Sequence, residues 1–349
     1  MRFSKLVRWT TVLCLLISPS FASAHHSFAS TFNIEVVNEL EGEITSVGWR
    51  NPHVVFELKV NDAQGQEVIY QVESHALSIM RRMDIDSTVL KVGDKVKVAG
   101  HPARHQDYAM FVINLLLPSG LEIVFEPWGK PRWGESVSSS NKWVATEDDA
   151  EDQKTGIFRV WSTSVIDPDA FPFPETFDPT LAARYPMTDE ARAALEVFDP
   201  LTDIATLNCA PKGMPIAMEQ PYPMEISQQG DAIHIRLEEY AALRIVHMKS
   251  DATADEQPLS LLGYSVGHWE ADILVVETSR VNYAHFNGIG LPQGPDATFV
   301  EHFILSENGK SLRYKLTVTD PTTFTEPIEL TKRWLALPDA KVEPYDCVI

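Results

Sequence analysis

HVVFELKV (53–60), the turn residues NDAQG (61–65) and EVIYQVE (67–73) form the stretch that decides the fold of the first part of this chain. Apolar and polar side chains alternate in both flanking segments, which is the period of a half-buried strand. The polar break between them is typical of a hairpin turn. We therefore predict two antiparallel strands at the centre of a small sheet.

Further strands extend this hairpin on both sides. Alternating or apolar segments at 39–49, 95–99, 108–117 and 121–125 predict four more strands, and Ser74 is the expected cap of a short helix that ends near Met83. Five or six strands with one helix between the third and the fourth predict a small closed barrel of the OB type over residues 25–125.

The C-terminal part repeats the β pattern on a larger scale. Turn signals such as Asn308-Gly309 separate eight expected strands at 224–228, 232–238, 243–248, 261–270, 273–278, 297–305, 312–319 and 328–335. This pattern predicts a lipocalin-like antiparallel barrel over 206–349, wide enough to enclose one small ligand. Residues 126–205 are expected to be an irregular but ordered connector with a short helix after Thr188. The fold class is therefore all-β.

The first 24 residues have the pattern of a secretory signal peptide. Basic residues precede the apolar run VLCLLI (12–17), and Ala22-Ser23-Ala24 matches a cleavage site. Cleavage would expose His25 as the new N-terminus and place the protein in the periplasm or outside the cell. The alternative is an uncleaved anchor, for which the apolar run falls short of the roughly 20 residues that a membrane span needs.

The net charge limits the possible binding partners, and the cysteine content indicates a disulfide. The formal net charge of −20 argues against binding to nucleic acid or to anionic membranes. Of the three cysteines, Cys14 lies in the leader, and Cys209 and Cys347 are expected to form a disulfide in an oxidising compartment. Two free buried thiols are the alternative.

Several motifs resemble a known family. The sequences HHSF (25–28), WRNPH (49–53) and GDKV (93–96) are similar to those of DUF6152, a family of exported bacterial proteins of unknown function, over about residues 25–125. The C-terminal part, with NCAP (208–211) and GHWEAD (267–272), resembles uncharacterised exported proteins. Those proteins usually carry GRWEGD where this chain has GHWEAD. These resemblances imply an architecture and no chemistry.

The new N-terminus is a candidate metal site. The α-amine and the imidazole of His25 could chelate one ion, and nitrogen ligands in a flat arrangement suit Cu(II). His53 is the first choice for a third nitrogen, followed by His26, His75, His101 and His105. Alternatively, the N-terminal residues fray and bind nothing.

A second candidate site lies in the C-terminal barrel, where polar residues occur within and between strands. The candidate ligand-binding residues are His234, Arg236, His247, Asn287 and His302, and those for acid–base catalysis are Tyr283, His285 and His268. For His234 and Arg236 the alternative is a solvent-facing position, with Ile233, Ile235 and Leu237 in the core.

We expect the second barrel to bind a small, hydrophobic or aromatic molecule, because a barrel of this size can enclose a ligand and polar residues lie on its strands. No serine-hydrolase, zinc-protease or nucleotide-binding motif is present. One alternative is an isomerase, lyase or hydrolase that acts on a hydrophobic metabolite in that barrel. Another is an accessory protein without a small ligand.

Overall fold

A computed structural model describes residues 28–126, 129–134, 136–139, 150, 155–163, 184–199, 202–203, 209–249, 253–337 and 340–348. The expected signal peptide, His25 and His26 lie outside the described residues. The rest forms two closed β-barrels with few helices, which confirms the all-β prediction.

The first barrel has five strands. They are β1 (Asn38–Gly48), β2 (Val55–Asn61), β3 (Glu67–Glu73), β4 (Lys95–Pro102) and β5 (Ala109–Leu116). The order is β3-β2-β1-β4-β5, and parallel pairing of β3 with β5 closes the sheet. This is the OB-type order that the sequence predicts, with α2 (Leu77–Arg82) between β3 and β4.

Alternation in the β2–β3 hairpin builds the core of this barrel. Phe56, Leu58 and Val60 are at most 5% exposed, and they pack with Val72 of β3. Two short strands, β6 (Leu121–Val124) and β7 (Ser136–Ser139), extend the sheet beyond β5, and the short helix α1 (Phe28–Thr31) precedes it.

The helix α2 begins later than predicted and has a different cap. Ser74 does not cap it, because its hydroxyl contacts the sulfur of Met80. The amide of Leu77 instead donates to the side chain of Asn51 at 3.2 Å. The WRNPH turn therefore supplies the polar group that the helix start requires.

The second barrel has nine strands. They are β8 (Val160–Thr163), β9 (Met224–Gln229), β10 (Ala232–Leu237), β11 (Leu243–His247), β12 (Tyr264–Glu270), β13 (Ile273–Ser279), β14 (Thr298–Leu305), β15 (Ser311–Thr319) and β16 (Ile328–Leu335). The closed order runs from β10 to β16 and then through β8 and β9. All neighbours are antiparallel except β11 and β12, which are parallel and joined by only two residue pairs.

The region between the barrels contributes to the second one. Strand β8 belongs to this region in sequence, yet it closes the larger barrel between β16 and β9. The helix α3 (Asp189–Val197) begins as expected, since the Thr188 hydroxyl accepts a hydrogen bond from the Ala191 amide at 3.1 Å. Three short 3₁₀ helices complete the described elements: Ile216–Met218, Glu239–Ala241 and Ala254–Glu256.

The C-terminal tail ties the two barrels together. Cys209 and Cys347 form the predicted disulfide, with Cα atoms 5.8 Å apart. Next to it, the Val348 amide donates to the Asn51 carbonyl at 3.0 Å, and Tyr345 packs with Tyr222 into the core of the first barrel. Among the described residues, no helix combines the length and the apolar character needed to cross a bilayer.

Candidate functional site

Strand β11 exposes two of its aliphatic side chains and buries a cation. In Leu243–His247 the alternation places Leu243 and Ile245 on the outer face, where they are 46% and 41% exposed. Arg244 and Val246 point inward and are buried. An inward cation and outward aliphatic residues reverse the usual pattern of a barrel strand. Such a reversal marks the strand as a candidate for function.

Arg244 is compensated inside the barrel. Both of its terminal nitrogens donate to the Glu301 carboxylate, and the two side chains are 1% and 0% exposed. Burial works against the charge of Arg244, but Glu301 outweighs it and raises the pKa of Arg244. The guanidinium therefore stays charged in the folded protein.

Three hydroxyl groups complete this buried network. Thr278 accepts from Arg244 at 2.7 Å, and Ser265 accepts from it at 3.0 Å. Tyr314 donates its phenol proton to Glu301 at 2.7 Å. Burial and the nearby Glu301 raise the pKa of Tyr314, so it remains a proton donor.

A cleft opens on the outer side of β11. Its volume is about 490 Å³, which lies within the range of small-molecule sites. The exposed Leu243, Ile245 and Leu261 line it, together with Pro211, Lys212, Tyr240, Ala242, Arg244, His247, Ser260, Leu262, Gly263 and Tyr264. We refer to this feature as the seam cleft, because it lies where β11 and β12 part.

The charged side chains of the residues that line the seam cleft are paired. The Lys212 ammonium donates to the buried Glu239 carboxylate at 2.8 Å, and Arg244 is bound to Glu301. The neighbouring Tyr240 has a φ of 56°. For a bulky residue this left-handed backbone is strained, and such strain is concentrated at binding and catalytic sites.

One predicted ligand-binding residue lines the cleft. His247 stacks on Tyr264 with ring centroids 4.9 Å apart. His234 and Arg236 lie on the outer face of β10, where Arg236 bonds Glu225 at 3.0 Å, and Ile233, Ile235 and Leu237 fill the core.

The other two predicted ligand-binding residues lie elsewhere. His302 is on the outer face of β14 and is partly buried. Asn287 is buried, and its side-chain oxygen accepts from the amides of Ile289 and Leu291, so it holds its own loop in shape.

Of the three residues proposed for catalysis, two lie together and the third lies elsewhere. Tyr283 and His285 are in ring contact with centroids 5.4 Å apart, and burial lowers the pKa of His285. His268 lies on the exposed end of β12, where it bonds Glu270 at 3.2 Å. None of the three lines the seam cleft.

A group of histidines lies in the first barrel. His53 bonds Glu73, and His75 is partly buried beside Phe111 and Phe125. Burial, reinforced by His53, lowers the pKa of His75 to about 4, so it is neutral at ordinary pH. Within the described parts of the chain, no three His, Cys, Asp or Glu side chains are grouped so that they could hold a metal ion.

The start of the described chain packs against Phe111 and lies near His101. The ring of Phe28 lies 4.8 Å from that of Phe111 and 6.4 Å from that of His101.

Residues 13–110 match the model of a family of unknown function, DUF6152. This match confirms the resemblance of the N-terminal part and ends within β5. No curated protein matches the chain.

Sequence reasoning missed the Arg244–Glu301 pair. The two residues are 57 positions apart and meet only because the barrel closes. Alternation did place Arg244 and His247 on opposite faces of β11, which the structure shows. The available signal was the reversed pattern itself, a cation between two aliphatic residues in a strand.

Proposed function

We propose that the C-terminal barrel binds a small, apolar or aromatic molecule in the seam cleft. The observation that carries this proposal is the exposure of Leu243, Ile245 and Leu261 within one cleft. Scattered exposed aliphatic residues are ordinary, but a contiguous group in a concave site is typical of ligand binding. Burial of Leu243 or Ile245 by a ligand would contribute roughly 1 kcal/mol each to the free energy of binding.

The ligand is expected to be uncharged. Lys212, a cation that lines the cleft, already has Glu239 as its carboxylate partner, and an anionic ligand would have to compete with Glu239. The guanidinium of Arg244 lies on the inner face of β11 with Glu301. His247 is a polar group that could orient one hydrogen-bonding function of the ligand, whereas the Ser260 hydroxyl already donates to the Gly263 carbonyl at 3.1 Å. The stacked rings of His247 and Tyr264 favour a flat molecule.

The test is a fluorescence titration with the neutral dye Nile red. Ile245→Glu places a charge in the cleft and should weaken dye binding at least tenfold. The matched control is Val300→Glu, since Val300 is 36% exposed on the outer face of β14 and is not among the residues lining the cleft. This control should change the affinity less than twofold. Equal affinities for wild type and Ile245→Glu would refute the proposal.

We also propose that the protein is exported and binds Cu(II) through the amine and the imidazole of His25. Its support is the leader pattern of residues 1–24 and the two nitrogens, amine and imidazole, that cleavage before His25 would expose. Mature protein that begins at His25 should bind one Cu(II) in a calorimetric titration. A variant with one additional residue before His25 should lose that site, because its amine is displaced. Equal binding by both would refute the copper proposal.

A further inference from the structure

Four of the polar side chains that line the seam cleft are already engaged within the protein. Lys212 bonds a buried carboxylate, Arg244 forms an ion pair inside the barrel, and the Ser260 hydroxyl donates to a backbone carbonyl. The fourth, Tyr240, packs its ring on that of Tyr345 with centroids 5.3 Å apart, and its hydroxyl oxygen is buried. A ligand therefore has to displace a partner, or reach a buried oxygen, to bond any of these four side chains.

His247 differs from these four side chains. It is partly buried in the lining of the cleft, and its ring stacks on that of Tyr264 with an interplanar angle of 28°. Among the residues that the structure describes, no hydrogen bond or ion pair engages its ring nitrogens. A neutral imidazole carries one donor and one acceptor. His247 can therefore bond a ligand in the cleft without losing a partner.

The backbone of β11 sets the distance between His247 and the aliphatic part of the cleft. Leu243, Ile245 and His247 lie on the same outer face, because successive side chains of a strand alternate. A strand rises about 3.4 Å per residue, so the Cα atom of His247 lies about 7 Å from that of Ile245 and about 14 Å from that of Leu243. A ligand that covers the two aliphatic side chains thus has its polar group at one end.

We infer that His247 sets the specificity of the seam cleft, and that its preferred ligand is a flat aromatic molecule with one hydroxyl group at its end, that is, a phenol. This inference rests on the proposed function and adds the ligand class to it. A hydroxyl donates and accepts, so it can bond either ring nitrogen of His247, whereas a carbonyl can only accept. A carboxylate fits less well, because it would lose water against Leu243 and Ile245 while Lys212 is already paired.

The experiment measures how well three naphthalenes of similar shape displace Nile red: 2-naphthol, 2-methylnaphthalene and 2-naphthoate. His247→Phe keeps a stacked ring and removes both ring nitrogens. It should weaken the binding of 2-naphthol about threefold to tenfold, the range of one neutral hydrogen bond, and should change that of 2-methylnaphthalene less than twofold. In wild type, 2-naphthoate should bind at least tenfold more weakly than 2-naphthol.

Two control variants separate the imidazole from its surroundings. Tyr264→Phe keeps the ring against His247 and removes the hydroxyl. His268→Phe replaces an exposed histidine further along β12 that is not among the residues lining the cleft. Each control should change the affinities for 2-naphthol and 2-methylnaphthalene by the same factor, at most twofold. A selective loss of 2-naphthol binding in Tyr264→Phe, with none in His247→Phe, would overturn the inference.

Failure of this inference is distinguishable from failure of the proposed function. If His247→Phe changes the affinities for 2-naphthol and 2-methylnaphthalene by the same factor or not at all, the ligand class is wrong, while binding in the cleft stands. Tighter binding of 2-naphthoate than of 2-naphthol has the same consequence. If Ile245→Glu binds Nile red and the naphthalenes as wild type does, the proposed function and the inference fail together.

Discussion

Replacement of Glu301 by glutamine removes the only carboxylate that binds the buried Arg244 within the described structure. Glu301 is 0% exposed and accepts from Arg244, Thr278 and Tyr314. Glutamine keeps the size and one oxygen acceptor, so the packing is nearly unchanged. The guanidinium of Arg244 is then left charged and buried without a counter-ion.

We expect Glu301→Gln to destabilise the protein strongly. Breaking one partner of a buried ion pair typically lowers the free energy of unfolding by about 3–5 kcal/mol. At roughly 2–4 °C per kcal/mol for a unit of this size, the melting temperature should fall by roughly 6–20 °C. In the double variant Arg244→Met/Glu301→Gln the charge is gone. Ser265 and Thr278 still bond each other at 2.9 Å, so most of the loss should be recovered.

Urea unfolding, followed by the fluorescence of the buried Trp161 and Trp334, measures these changes. The control is Arg236→Met, which breaks the ion pair with Glu225 on the outer face of β10, where the side chains are 52% and 34% exposed. That variant should lose less than about 1 kcal/mol. The reasoning is wrong if Glu301→Gln unfolds at the wild-type urea concentration, or if the double variant is no more stable than the single one.

Three further predictions concern stability. Burial lowers the pKa of Lys332 from 10.5 to about 7. The unfolded state therefore binds more protons between these values, and stability should rise with pH there, by at most about 1.4 kcal/mol per pH unit. Urea unfolding at pH 7–9.5 should show this slope in wild type and not in Lys332→Met; parallel profiles would contradict it. Burial lowers the pKa of His75 from 6.5 to about 4, so stability should be lost as the pH falls through this window, and His75→Gln should lose less between pH 7 and 4.5 in thermal unfolding. Reduction of Cys209–Cys347, which spans 138 residues, should cost about 2–5 kcal/mol in calorimetry, and an unchanged melting temperature on reduction would argue against it.

The strands were predictable because their signals are local. The segment 328–335 is a strand with the bounds that its alternation predicts, and α3 begins after Thr188 because a threonine hydroxyl caps it. The order of the first barrel followed from the number of strands and the position of one helix. The disulfide followed from the two cysteines that remain beyond the leader.

Contacts that form only when the larger barrel closes could not be predicted from the sequence. Strand β8 has four residues, and nothing in its sequence shows that it closes the larger barrel. The parallel pairing of β11 with β12 likewise depends on the path of the connection between them. For the candidate site, the sequence predicts His247 as a ligand-binding residue, but a strand over 243–248 does not by itself indicate that Leu243 and Ile245 line a cleft beside it.

The seam cleft follows from that parallel pair. Consecutive parallel strands need a connection that returns along the barrel, and the end of this connection, Ser260–Gly263, forms one wall of the cleft. Because only two residue pairs join the strands, the first half of β11 is left open to the outside. Arg244 belongs both to the cleft and to the buried network, so the network fixes the inner face of the strand whose outer face would bind the ligand. Glu301→Gln should therefore weaken dye binding as well as stability, whereas Val300→Glu, one position away on the outer face, should affect neither.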